Sequence, residues 1–268
     1  MLNGVMLLWF ILTAISVIFV AVDIRHTPES KVLKWGFILL TAYTGPFGAF
    51  LYALGCREPL PGVHERYVKV LWRQVLGSTM HCVAGDGVGI LAGAVIGSAL
   101  SLSMLADIGL EYVLGFGFGW TIFQALFMKN TAGGTYGKAL YNTFIPELVS
   151  MNCLMAAMVP VSSIAKSFVP GSESPLSPAF WFIMSMALLC GFIAAFPMNW
   201  WLVSNHLKHG MMTVRPKDMA EDDVAKGMGD MDMGGMDMEK PSSFEIAKVT
   251  ALSFVILAVG IGIALIFT

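Results

Sequence analysis

Charged residues are scarce in this chain, at 13% of 268 positions, and neither sign dominates: 16 Lys and Arg stand against 18 Asp and Glu. A net charge of -2 with no dense basic patch excludes nucleic acid, or a strongly anionic surface, as partner. Cysteines are few as well. Cys56, Cys82, Cys153 and Cys190 show no CxxC spacing, and most fall inside apolar runs where a thiol is an ordinary small packing residue. Also missing are a nucleophile with its base, a phosphate loop and a cofactor motif, so no catalytic residue is assigned and an enzyme is the weaker reading.

What the chain has in abundance is apolar side chains, 56% of it, which excludes an ordinary soluble domain. A hydrocarbon core needs about 20 apolar helical residues. Such runs lie near 4 to 22, 33 to 54, 78 to 100, 105 to 128, 141 to 162, 179 to 203 and 246 to 267. The expectation is an all-α, polytopic membrane helix bundle of about seven transmembrane helices, with the lipid bilayer of the cell membrane as its surroundings. The first run lacks a basic start, and the AVDIRH after it is a poor signal-peptide cleavage site, so it is kept as a helix.

Helix-breaking clusters separate the runs: HTPESK, REPLPG, NTAGG and PGSESPLSP. The exception to short connections is a polar stretch rich in Gly and Met. The organisation read from this is a six-helix core over 1–204, a flexible Met-rich loop over 205–245 and a last transmembrane helix over 246–268. Seven spans place the second, fourth and sixth connections on one side. These carry Arg57, Arg66, Lys69, Arg73, Lys129, Lys138, Lys208, Arg215, Lys217, Lys226 and Lys240, against Arg25, Lys31, Lys34 and Lys166 on the odd connections. The sum puts the even connections and the N-terminus in the cytoplasm, although the three basic residues after the first run pull the other way.

Metal-capable residues gather at the even-side ends of the runs. His81, Cys82 and Asp86 stand near the start of the third, ahead of a glycine row at 85, 89, 93 and 97 that lets another backbone approach closely. Imidazole, thiolate and carboxylate within two turns form a partial coordination set, with Asp86 suited to holding a proton or orienting His81. The plainer reading is hydrogen bonding within the bundle. Glu147 heads a helical column with Met151, Met155 and Met158; an acid inside a span needs a cation or a partner such as His81, whereas Met155 and Met158 suit plain packing. Met198 and Asn199 follow Pro197 deep in the sixth run, while Trp200 and Trp201 read as interfacial anchors and His206 and His209 as a solvated basic end. The most specific signal is GMGDMDMGGMDM, in which Met228, Met231, Met233, Met236 and Met238 offer neutral, soft thioethers that prefer Cu(I) or Ag(I) to Zn, Mg or Ca. A low-complexity linker kept soluble by Asp230, Asp232 and Asp237 is the alternative. Asp107 and Glu111 fall at the opposite side and mark a second end of a pathway or a water-facing helix start.

At YTGPFG (43–48), MHCVAGD (80–86), PELVSMN (146–152) and PMNWWLVSNHLKHGMMTVR (197–215) the chain resembles a family of bacterial and archaeal polytopic membrane proteins built on a domain of unknown function. The resemblance implies a shared helical membrane fold and supplies no activity. The chemistry favours a protein that collects Cu(I) on the loop and passes it to His81, Cys82, Glu147, Met151 and Met198 for transport or delivery, working with a copper donor or acceptor protein. Competing readings are an accessory subunit of a larger membrane copper oxidase or monooxygenase complex, and a membrane enzyme or proton-coupled transporter using the same acidic and His set.

Overall fold

The computed structural model describes residues 2–60, 62–125, 135–210 and 241–267. Every regular element among them is helical: α1 (Leu2–Asp23), α2 (Lys31–Thr44), α3 (Pro46–Gly55), α4 (His64–Val68), α5 (Leu71–Ala99), α6 (Met104–Phe118) with a π-helical turn (Gly119–Gln124), α7 (Tyr136–Phe168), α8 (Pro178–Ser204) and α9 (Ser243–Ile266). Five of these, α1, α5, α7, α8 and α9, are long and apolar enough to cross a membrane. The burial pattern is that of a protein solvated by lipid. The two most apolar spans, α1 and α9, are the least buried, and the least apolar, α5, is the most buried. Large side chains such as Leu7, Ile15, Ile18, Val255 and Val259 face outward, so this is a multi-pass membrane protein whose polar groups are turned inward.

The glycine row of α5 is the seam with α6. A side chain at Gly89 would run into the backbone of Leu114, one at Gly93 would lie 2.8 Å from the Glu111 Cα, and one at Gly97 would meet the Asp107 carboxylate. At the other end of the row, Gly85 backs onto Phe123 of the π turn at 2.8 Å. The small residues therefore let two helices approach to backbone contact. On α7, Gly260 of α9 reaches the Ala156 backbone in the same manner, and the Asn152 amide donates to Ser253 Oγ at 2.9 Å.

The apolar run at 33–54 does not form the expected single span. It folds as a helical hairpin, α2 going in and α3 coming back. Gly45 takes φ 60° and ψ -136°, a conformation closed to other L-residues, and Pro46 starts the returning helix where its missing N–H costs nothing. The arms touch at Gly48, whose absent side chain would meet the Thr41 Cα at 2.5 Å. At the open end, Tyr52 Oη donates to Asp23 Oδ2 at 2.7 Å and shares a hydrogen bond with Thr27 at 2.9 Å, while Arg57 pairs with Asp23 at 2.9 Å. The tip abuts Trp9 and Thr13 of α1. With α2 about 21 Å long at 1.5 Å per residue, the hairpin dips deep into the bundle and returns to the face it left. The connections at 24–30 and 56–70 thus lie at the same end of the described structure, and this run is not among the five helices long and apolar enough to cross a membrane.

Candidate functional site

A polar pocket sits beneath that end of the bundle, assembled from α5, the π turn, α7 and the tail of α8. α5 supplies Cys82 and Asp86, with His81 beside them, all fully buried, and α7 supplies Glu147, also fully buried. The Cys82 thiol donates to Glu147 Oε2 at 2.9 Å. The π turn brings in Gln124, whose amide donates to Glu147 Oε2 at 2.8 Å and to Cys82 Sγ at 3.1 Å. A π turn adds a residue to the helical repeat and so rotates the side chains after it, a device frequent at functional sites. Here it aims the one amide of GWTIFQ inward.

Lys208 joins these groups from the tail of α8. α8 ends in a Schellman motif: His206 adopts φ 56°, its N–H reaches Val203 O at 3.1 Å, and the Leu207 N–H reaches Leu202 O at 3.0 Å. The chain turns back under the bundle, and the Lys208 ammonium enters it. The ammonium donates to Cys82 Sγ at 2.5 Å, to Asn199 Oδ1 at 2.9 Å and to Glu147 Oε2 at 3.3 Å. Asn199 is held by donating to Ser150 Oγ at 2.8 Å. Burial disfavours the charged ammonium, but Cys82 and Glu147 beside it outweigh that, and the Lys208 pKa is raised. The Lys208 side chain, in the stretch read from sequence as loop, is thus buried, while His206 and His209 beside it are exposed.

Asp86 completes the pocket. A side chain at Gly119 would fall on Asp86 Oδ1 and lie 3.0 Å from Glu147 Oε1, so the two carboxylates converge on one glycine. Two buried acids beside a single lysine leave one negative charge over unless a proton or a second cation joins them. His81, one residue from Cys82, sets its ring edge-on to Phe123, centroids 5.4 Å apart.

The sequence-derived set is therefore brought together in part. Cys82, Asp86 and Glu147 share the pocket, and His81 is buried beside it with its ring against Phe123. Met151 is buried one turn further in, its methyl packed towards Gly115 beside Ile90. Met198 is half-buried, and its neighbour Asn199 is the residue that turns inward. Met155 and Met158 are apolar core, as plain packing predicts. Met228, Met231, Met233, Met236 and Met238 lie outside the described residues. Lys208 and Gln124 were missed. Lys208 resembles a solvated basic end, and the only sequence signal for Gln124 is an amide alone in an apolar run. At the opposite end, Asp107, Glu111 and Lys166 line an open cleft of about 760 Å³. Between the two, Tyr112 Oη donates to Asn152 Oδ1 at 2.6 Å.

Residues 71–208 match the family described as Domain of unknown function (DUF4396), and the chain belongs to that family. The match opens on the first residue of α5 and closes on Lys208, so every pocket residue falls inside it and the α2–α3 hairpin falls outside. No curated protein and no solved structure matches the chain.

Proposed function

We propose that the protein handles Cu(I) as cargo, binding it in the pocket in exchange for the Lys208 ammonium. The observation that carries this reading is the grip on Lys208: a thiol sulfur, a carboxylate oxygen and an amide oxygen converge on one cation inside the bundle. A thiolate prefers a soft ion and Cys82 supplies one, while His81, the residue before it, offers an imidazole, a borderline donor that copper also accepts. The protons balance. The Cys82 thiol proton already points at Glu147, so a copper–sulfur bond forms as that proton passes to the carboxylate, and Lys208 withdraws with its charge. The Met-rich sequence at 227–238 begins 19 residues beyond Lys208 in the same connection, within which the lysine and the segment that would collect the ion are joined by the chain.

The test is copper analysis of purified, Cu(I)-loaded protein. One tightly held copper is expected in the parent and in a variant lacking residues 226–239, and none in Cys82→Ala/Glu147→Gln. A parent that holds no copper after loading refutes the reading.

A second reading has its own support. The Asp86–Glu147 pair binds a shared proton readily, and Tyr112 with Asn152 lies between it and the acid-lined cleft at the opposite end. On this reading protons are the coupling ion of the same site.

The topology that goes with both is six crossings, α6 with its π turn being the sixth and the hairpin none. Arg25, Lys31, Lys34, Arg57, Arg66, Lys69, Arg73, Lys138, Lys208 and Lys248 then share the Lys208 end, leaving Lys166 at the other. The asymmetry supports a cytoplasmic Lys208 end, with the N-terminal end of α1 on the far side. The basic residues after the first helix no longer disagree with the rest.

A further inference from the structure

The hairpin has a second cluster at its open end, apart from the Lys208 pocket. Glu29 precedes α2, Cys56 follows α3 and His64 opens α4. One ligand atom from each lies within 4.8 Å of the other two, and all three residues are buried. His64 Nε2 is 2.9 Å from Glu29 Oε1. We propose that Glu29, Cys56 and His64 bind zinc or another borderline divalent cation and thereby lock the two ends of the re-entrant hairpin together.

Three observations support this. First, an ion pair between His64 and Glu29 does not account for the cluster: Glu29 Oε2 and His64 Nδ1 are both buried without a hydrogen-bond partner among the described residues. A cation at this point takes a carboxylate oxygen and a ring nitrogen as ligands and gives the buried polar atoms a use. Second, the donor set is mixed. One thiolate, one imidazole and one carboxylate suit zinc, whose bonds of about 2.0 to 2.3 Å to such atoms require only a small contraction of the cluster. Third, the charges close: thiolate and carboxylate neutralise a divalent ion, with His64 neutral, so the filled site carries no net charge into a buried place. The Cys56 proton is released to solvent on binding, as for any thiolate ligand.

The site lies outside the family-matched segment and uses none of the pocket residues, so its test is independent of copper. Zinc titration of the full chain in detergent is expected to show one zinc per chain in the parent and in Cys82→Ala, with affinity at least tenfold weaker in both Cys56→Ser and His64→Ala. A parent that binds no zinc, or a loss below tenfold in either variant, overturns the proposal. Should those variants fail to fold, X-ray absorption on the zinc-loaded parent and on Cys82→Ala decides. One sulfur at about 2.3 Å is expected in both, and a shell of nitrogen and oxygen alone overturns it.

Discussion

The Lys208 ammonium and the Glu147 carboxylate meet 3.3 Å apart, both buried, although one belongs to the tail of α8 and the other to the middle of α7. Removing one member of such a pair leaves the other charge uncompensated, which destabilises by about 3–5 kcal/mol. Lys208→Ala is therefore expected to unfold at lower temperature or denaturant. The exchange reading adds a second outcome. With the internal competitor gone, Ag(I) or Cu(I) should bind more tightly, on the order of tenfold or more, or about 1.4 kcal/mol, and should restore the lost stability. A melting curve recorded with and without Ag(I) reads both. A variant that is destabilised and gains nothing from the ion speaks against exchange.

Glu147→Gln keeps the shape of the acid and removes its charge and its ability to take the Cys82 proton. Copper binding is expected to weaken, and its pH dependence to change. In the parent, affinity should change little with pH, because the proton that leaves the Cys82 thiol stays in the pocket on Glu147. In the variant that proton has no carboxylate to go to at Glu147, and affinity at neutral pH should fall further below its value at pH 9 than in the parent. Titrations against a competing Cu(I) chelator at the two pH values make the comparison. An identical pH profile in both proteins removes Glu147 from the proton transfer.

Gly119→Ala tests the convergence of the carboxylates without touching any ligand. The added methyl would displace Asp86 and crowd Glu147, and overpacking of this kind costs about 1–3 kcal/mol. Lower stability together with weaker copper binding is expected. Gly117→Ala, two residues earlier on a helix face with nothing within 4 Å, is the control and should match the parent. Equal behaviour of the two variants would mean that the pocket tolerates displacement of Asp86.

The sequence made His81, Cys82, Asp86 and Glu147 legible because an ionisable side chain in an apolar run has few reasons to be there. The glycine row of α5 was legible as a close contact for the same kind of reason, though its partner, α6, was not. Lys208 was illegible. Its placement depends on a left-handed residue at His206, where the chain has no glycine to announce the turn. The hairpin was not legible: hydropathy averages over a window and reads two short apolar helices as one long one, even with Gly45 and Pro46 between them. Cluster residues Glu29, Cys56 and His64 could not be joined from sequence, because only the reversal at Gly45 brings the ends of 33–54 together.

That reversal carries the last prediction. If 33–54 crosses the membrane, residues 25 and 66 face opposite sides; if it returns, they face the same side. Starting from a variant with the native cysteines replaced by serine, Arg25→Cys, Arg66→Cys and Ser101→Cys place single thiols at the two connections and at the start of the α5–α6 turn. In sealed, right-side-out vesicles treated with a membrane-impermeant maleimide, Ser101→Cys is expected to label, with Arg25→Cys and Arg66→Cys both protected until the vesicles are opened. The first two sites define the hairpin and the third defines the orientation, so the outcomes separate. Labelling of Arg25→Cys and Arg66→Cys from opposite sides would return the segment to a full crossing. Labelling of both from outside, with Ser101→Cys protected, would keep the hairpin and invert the protein, placing the Lys208 pocket at the outer face.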